Sequence, residues 1–135
     1  MKQKVIYLLL LFIISVSCTD KEKETQKYLN SALVKIDNSD FDGALNDLNK
    51  AIELSPKNFK LYFTRGNTYF NKQQYNNAIA DYDKAIALNE KYTDAYFNRG
   101  NTYQLLNNND KACADYITAY KLGKPNIEDK VRRCK

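Results

Sequence analysis

The chain has 135 residues, with 21 Lys and Arg against 16 Asp and Glu, three Cys, one Met, and neither His nor Trp. The missing His excludes most enzyme chemistry that rests on imidazole, and four Gly with two Pro are too few turn residues for an all-β or doubly wound fold. The formal charge of +5 does not point to nucleic acid, because only four bases are Arg and the Lys residues are scattered among acids instead of forming a stripe.

At the N-terminus Lys2 and Lys4 precede an apolar run from Val5 to Ile14, followed by Ser15, Val16, Ser17 and Cys18. A cationic start, a short apolar stretch and small residues make an export signal over residues 1–17. The run is short for a helix crossing the roughly 30 Å hydrocarbon core, which takes about 20 residues, so an uncleaved membrane anchor is the weaker reading. Ile14 to Cys18 resembles the lipobox of bacterial lipoproteins, in which the Cys is S-diacylated and becomes N-terminal after cleavage. The resemblance implies that Cys18 is a lipid anchor, although Ser15 stands where that family usually has an aliphatic residue. Ser15 and Ser17 also suit an ordinary signal peptidase, which would give a secreted or periplasmic soluble protein. Residues 18–24 then form a charged tether, and Thr19, which is not acidic, favours the outer membrane among lipid-anchored destinations.

The rest repeats with a displacement of 34. Tyr62-Phe63-Thr64-Arg65-Gly66-Asn67-Thr68-Tyr69 recurs as Tyr96-Phe97-Asn98-Arg99-Gly100-Asn101-Thr102-Tyr103, and Ala78-Ile79-Ala80-Asp81-Tyr82 as Ala112-Cys113-Ala114-Asp115-Tyr116. One step back, Tyr28, Ala32, Ala44, Asp47, Leu48 and Ala51 hold the same places. Within a copy, Tyr62, Gly66, Tyr69 and Phe70 have helical spacing, and after the polar break Asn71 to Gln74 the face resumes at Tyr75, Ala78, Ile79 and Tyr82. Each unit therefore reads as helix, turn, helix. Gly66 or Gly100 opposite Ala78 or Ala112 lets the two axes approach closely.

At these residues the chain resembles the tetratricopeptide repeat (TPR) family, which has the same period, an aromatic at the fourth and eleventh places, Gly or Ala at the eighth, and Ala at the twentieth and twenty-seventh. Copy one departs at Ala32 and Lys35. The resemblance implies an all-α, right-handed α-solenoid of three helix-turn-helix units, 25–58, 59–92 and 93–124, with a capping helix at 125–135. Ile127, Val131 and Cys134, at i, i+4 and i+7, would cover the open face of the third unit, and Arg132, Arg133 and Lys135 would lie in solvent at its end.

With Cys18 lipidated, Cys113 and Cys134 remain as an even pair in an exported protein. At about 1.5 Å per residue, Cys113 lies roughly 13 Å before the turn at Leu122 and Cys134 roughly 12 Å after Asn126 on the returning helix. A Cys113–Cys134 disulfide is expected.

Candidate chemistry is sparse. Asp81 and Asp83 point to different sides of one helix, no metal-ligand set or Gly-rich phosphate loop stands out, and the reading is of no enzyme, no cofactor, no metal, no nucleic acid and no small-molecule substrate. The resemblance implies binding instead. In that family the first helices of successive units line a concave groove, which here assigns Leu29, Leu33, Lys60, Phe63, Asn67, Phe70, Asn71, Phe97, Asn101 and Gln104 to a peptide-binding surface. Asn67 and Asn101 would bond both N–H and C=O of an extended peptide. The subgroup that grips a C-terminal carboxylate uses basic and Asn residues at places held here by Leu29, Leu33, Asp94 and Asn98, so an acidic-tail clamp is not expected. Two readings follow: a lipid-anchored adaptor that recruits a protein partner, or a structural envelope component that packs through its convex face or repeat edge.

Overall fold

In the computed structural model the backbone is described from Lys2 to Cys134 and side chains from Asp20 to Cys134. Seven helices follow in chain order: α1 (Lys2–Asp37), α2 (Phe41–Leu54), α3 (Phe59–Asn71), α4 (Tyr75–Leu88), α5 (Thr93–Leu105), α6 (Asn109–Lys121) and α7 (Glu128–Arg132). Among the described residues there is no strand. The architecture is an α-solenoid of three helical hairpins and a short closing helix. The side chains of the signal segment and of Cys18 lie outside the described residues. The stretch expected as a tether continues α1 as helix, with Asp20 to Glu24 exposed.

The hairpins close on matched volumes. Gly66 faces Tyr82 and Gly100 faces Tyr116, and a Cβ at either glycine would meet ring carbons at 2.8 Å and 3.0 Å. In the first hairpin Ala32 stands where the glycine would be, and the smaller Leu48 replaces the Tyr; Ala32, Ala44 and Leu48 form one buried cluster. Between hairpins, Tyr62, Ala85 and Ala95 make another, with Phe59, Phe63 and Tyr92 packed against it.

One buried carboxylate per hairpin ties the first helix to the second. Asp81, 5 % exposed, accepts from Arg65 Nε and Nη2 at 2.7 Å each; Asp115 accepts from Arg99 at 2.9 Å and 2.6 Å. Such forked pairs satisfy both oxygens of an acid taken out of water. In the first hairpin Ser31 replaces the Arg, and Lys35 supplies the charge from one turn further on; Ser31 and Lys35 both reach Asp47 at 2.6 Å. Lys35 stands at the aromatic place for this reason. Burial pushes the Asp47 carboxyl up, but the bonds from Lys35 and Ser31 outweigh it and hold the group below its ordinary value. Asp83, two residues after Asp81, points to the next unit instead and bonds Arg99 Nη1 at 2.5 Å.

The C-terminal segment is less helical than expected. Gly123 (φ 93°) and Asn126 (φ 60°) are left-handed, so the chain turns twice and helix begins only at Glu128. Ile127 is buried, while Val131 and Cys134 are half-buried.

Candidate peptide groove

The expected groove residues are distributed over three kinds of environment. Leu29 is half-buried against the first hairpin's core, and Leu33 is 44 % exposed. Lys60 and Asn71 are exposed, and Phe70 packs edge-on against Tyr75. Phe63 packs on Tyr82 and Tyr92, with ring centroids 5.9 Å and 4.9 Å apart, so it is a wall more than a free contact.

Asn67, Phe70, Asn71 and Asn101 come together with Tyr82 and Asn98 around a hollow of about 310 Å³ between α3, α4 and α5. Leu29, Leu33, Lys60, Phe63, Phe97 and Gln104 are not among its lining residues. Asn67 Oδ1 accepts from the Tyr82 hydroxyl at 2.8 Å and from Asn98 Nδ2 at 2.8 Å. Both lone pairs of that oxygen are thereby used. Asn101 Oδ1 is likewise engaged, by the Tyr116 hydroxyl at 2.9 Å and Lys130 Nζ at 2.9 Å. The expectation that these two amides offer both donor and acceptor is corrected for the acceptor: their oxygens are engaged within the fold.

The third unit ends differently. Lys130 Nζ also bonds Gln104 Oε1 at 3.0 Å and Tyr116 Oη at 3.2 Å, and lies 4.8 Å from the Tyr116 ring centre and 5.9 Å from that of Phe97. Lys124 Nζ bonds Asp94 at 2.5 Å and lies 5.4 Å from the Phe97 ring centre. The chain's own lysines thus lie on the Phe97 ring and on the side-chain oxygens of Asn101 and Gln104, while Gln104 itself stays exposed. Burial, aided by the Arg133 charge, holds the Lys130 ammonium below its ordinary value. Burial pushes the Tyr116 phenol up to about 12 and the Tyr82 phenol up as well.

Asn98, Tyr82 and Lys130 were not assigned to the groove surface from sequence. Tyr82 had a signal, since it recurs as Tyr116 at the repeat displacement. Asn98 stands where the preceding unit has Thr64, and Lys130 lies beyond the last repeat, so periodicity points to neither. The Sγ atoms of Cys113 and Cys134 are 2.06 Å apart, at bonding distance, with Cα atoms 5.4 Å apart.

A TPR repeat model matches residues 33–73 and 66–107, and a tetratricopeptide repeat model matches 93–123, together more than half of the chain. The chain belongs to the tetratricopeptide repeat family. No curated protein sequence matches it. Among solved TPR structures it is similar to the first TPR of Spaghetti (RPAP3) bound to HSP90 peptide SRMEEVD, at 25% identity and TM-score 0.77, covering 83% of this chain and 90% of that one. It is also similar to the first TPR domain of the human RPAP3 protein, at 26% identity and TM-score 0.74 over 82% and 88%. The N-terminal domain of stress-induced protein-1 from C. elegans shares the fold at 20% identity, with TM-score 0.79 over 84% and 96%. In these structures, as here, helical hairpins repeat along the chain.

Proposed function

We propose that this TPR chain is an exported, lipid-anchored adaptor that binds an extended segment of a partner protein in the hollow between α3 and α5. The observation that carries the reading is the amide arrangement there. Asn67 and Asn101 have their oxygens engaged inside the fold, which fixes the amide planes and leaves Nδ2 donors with no bonded partner among the described residues. Fixed donors beside the Phe70 ring suit backbone carbonyls and side chains of an extended peptide. The HSP90 peptide bound by the Spaghetti TPR supports peptide recognition as the mode. It does not transfer the acidic-tail clamp, because Leu29, Leu33 and Asp94 stand at clamp places.

The anchor rests on Lys2 and Lys4, the Val5 to Ile14 run and the small residues before Cys18. The even pair Cys113 and Cys134, brought together by α6 and the C-terminal segment, suits an oxidising compartment. Intact mass spectrometry of membrane-extracted protein tests it: a diacylated N-terminal Cys18 is expected, and an unmodified Cys18 or an N-terminus at Met1 overturns it.

The groove is tested by placing a photo-crosslinking residue at Asn71, on the hollow's rim, or at Lys84, exposed on α4. Adducts with one partner from position 71 and none from 84 are expected. The reverse pattern would favour the structural envelope reading, which gains from Val34, 60 % exposed on the unpartnered side of the first hairpin.

A further inference from the structure

The same groove places are met differently in successive units. Asn67 and Phe70 border the hollow with no lysine on them, while at the equivalent places the side-chain oxygens of Asn101 and Gln104 are bonded by Lys130, and Phe97 lies beneath Lys130 and Lys124. Asn101 still lines the hollow with its other side, and Gln104 stays exposed. The segment from Gly123 to Cys134 therefore lies over one end of the groove, on Phe97 and those two oxygens, and what holds it down decides whether they are ever available.

Its own hold is slight. A helix of five residues does not sustain itself in water. Among the described residues of this segment only Ile127 is buried. Its internal ion pair, Arg132 with Asp129, is exposed and local, so it adds nothing to docking. Reach onto the body comes from Ile127, from Lys124 to Asp94, and from Lys130, whose ammonium meets neutral oxygens and, among the described residues, no carboxylate. The far end is fixed where Cys134 meets Cys113 on α6, a sequence separation of 21.

We propose that Gly123–Cys134 is a redox-released cover: the Cys113–Cys134 bond keeps Lys130 seated on Asn101 and Gln104, and its reduction frees the Phe97 ring and the side-chain oxygens of Asn101 and Gln104 for a partner. The proposal rests on the groove reading above, whose working surface it would extend by one unit. The step needs a dithiol reductant. Its thiolate attacks one sulfur, the Sγ–Sγ bond breaks, and two electrons and two protons pass to the cysteines as the reductant closes to its own disulfide. Opening a ring of this size multiplies the number of ways the segment can leave, raising the open population on the order of a hundredfold.

Amide hydrogen exchange on the full chain tests this without any partner. Four samples are compared: oxidised protein, protein reduced with dithiothreitol, Cys113→Ser with Cys134→Ser, and Lys130→Met with the bond intact. Reduction and the double serine variant should speed exchange over 127–134 by tenfold to about a hundredfold. They should shift the side-chain amide signals of Asn101 and Gln104 and leave α3 to α6 protected. Lys130→Met should keep the segment protected. Unchanged exchange over 127–134 after reduction overturns the proposal, and so does loss of protection across α5 and α6 together, which would make the bond a staple of the fold. Loss of protection in Lys130→Met with the bond intact also overturns it, by moving the hold from the bond to the ammonium. Failure of the groove reading would appear in the crosslinking pattern at Asn71 and not in these exchange rates.

Discussion

The groove sides of the second and third units are built from one residue set, Phe63, Asn67 and Tyr82 in one and Phe97, Asn101 and Tyr116 in the other, yet one carries no lysine and the other lies under two. The ring pairs are alike, with Phe63–Tyr82 and Phe97–Tyr116 centroids both 5.9 Å apart. In each the Tyr hydroxyl bonds the Asn oxygen. The second lone pair of that oxygen is filled from the element that follows: the amide of Asn98 on α5, or the ammonium of Lys130 on α7. A short neutral amide leaves a hollow beside it, and a long cationic side chain occupies the space. In a solenoid, what a groove residue can do is thus set by the unit after it as much as by its own.

The strongest way to break the comparison is to fill the shared close approach. Gly66→Val puts carbon against Tyr82, whose hydroxyl is held by Asn67 and whose ring is backed by Phe63. The ring cannot retreat, and a loss of about 3 kcal/mol is expected in urea unfolding. Gly100→Val meets the same ring distances, and Tyr116 is held by Asn101 and backed by Phe97 in the same way, but the layer beyond them is the five-residue α7 and not a repeat helix, so the expected loss is nearer 2 kcal/mol. Equal losses would show that the third unit is as rigid as the second.

Alkaline titration compares the two tyrosines directly. Both phenols are neutral in the folded chain and their pKa values are raised by burial, Tyr116 to about 12. In the unfolded chain tyrosine ionises near 10, so the unfolded state loses protons first and stability falls as pH rises from about 10 toward 12. Below pH 10 this contribution is fully present. Tyr82→Phe and Tyr116→Phe should each flatten the fall, as read from unfolding midpoints across that window.

Repetition made the helices, the hairpins and their Gly–Tyr closure legible from the sequence, because a residue that recurs at 34 in a packed role recurs with its partner. Groove availability was not legible to the same degree. Asn67 and Asn101 look identical in the chain, but only three-dimensional packing reveals that their oxygens are spent on Tyr82, Asn98, Tyr116 and Lys130. Lys130 lies outside the repeat, where no register assigns it a neighbour, and the basic residues around it read as a solvated helix end. The helix expected over 125–135 shrank to Glu128–Arg132 because Asn126 takes a left-handed turn that spacing does not disclose.

Exchanging the closing groups gives a smaller effect. Asn98→Ala removes one N–H···O bond and should cost about 1 kcal/mol at any pH between 6 and 10. Lys130→Met keeps the length and loses a charge that burial disfavours, so it should cost less at neutral pH. Because the Lys130 pKa is lowered in the fold, the folded state gives up its proton more readily, and the wild-type chain gains stability from this group as pH rises toward the unfolded value near 10.4. Lys130→Met should erase that gain, and a variant that retains it would move the cause elsewhere.

The smallest expected effect lies in the turns that join the helices of each unit. Ser39, Gln73 and Asn107 occupy one register position and all are left-handed, with φ of 61°, 60° and 58°. The next residue caps the second helix in two units, Asp40 to the Gly43 N–H at 3.0 Å and Asn108 to the Lys111 N–H at 3.3 Å. Gln74 in the second unit makes no such bond and instead accepts from Asn77 Nδ2. Its extra methylene carries the amide past the first turn, and Gln73 bears a side chain poorly suited to the left-handed region. Replacing Gln73 and Gln74 by Asn and Asp gives the second turn the chemistry of the other two, and a gain of about 0.5 kcal/mol in urea unfolding is expected. No change would mean that the second unit, held by neighbours on both sides, draws nothing from its turn.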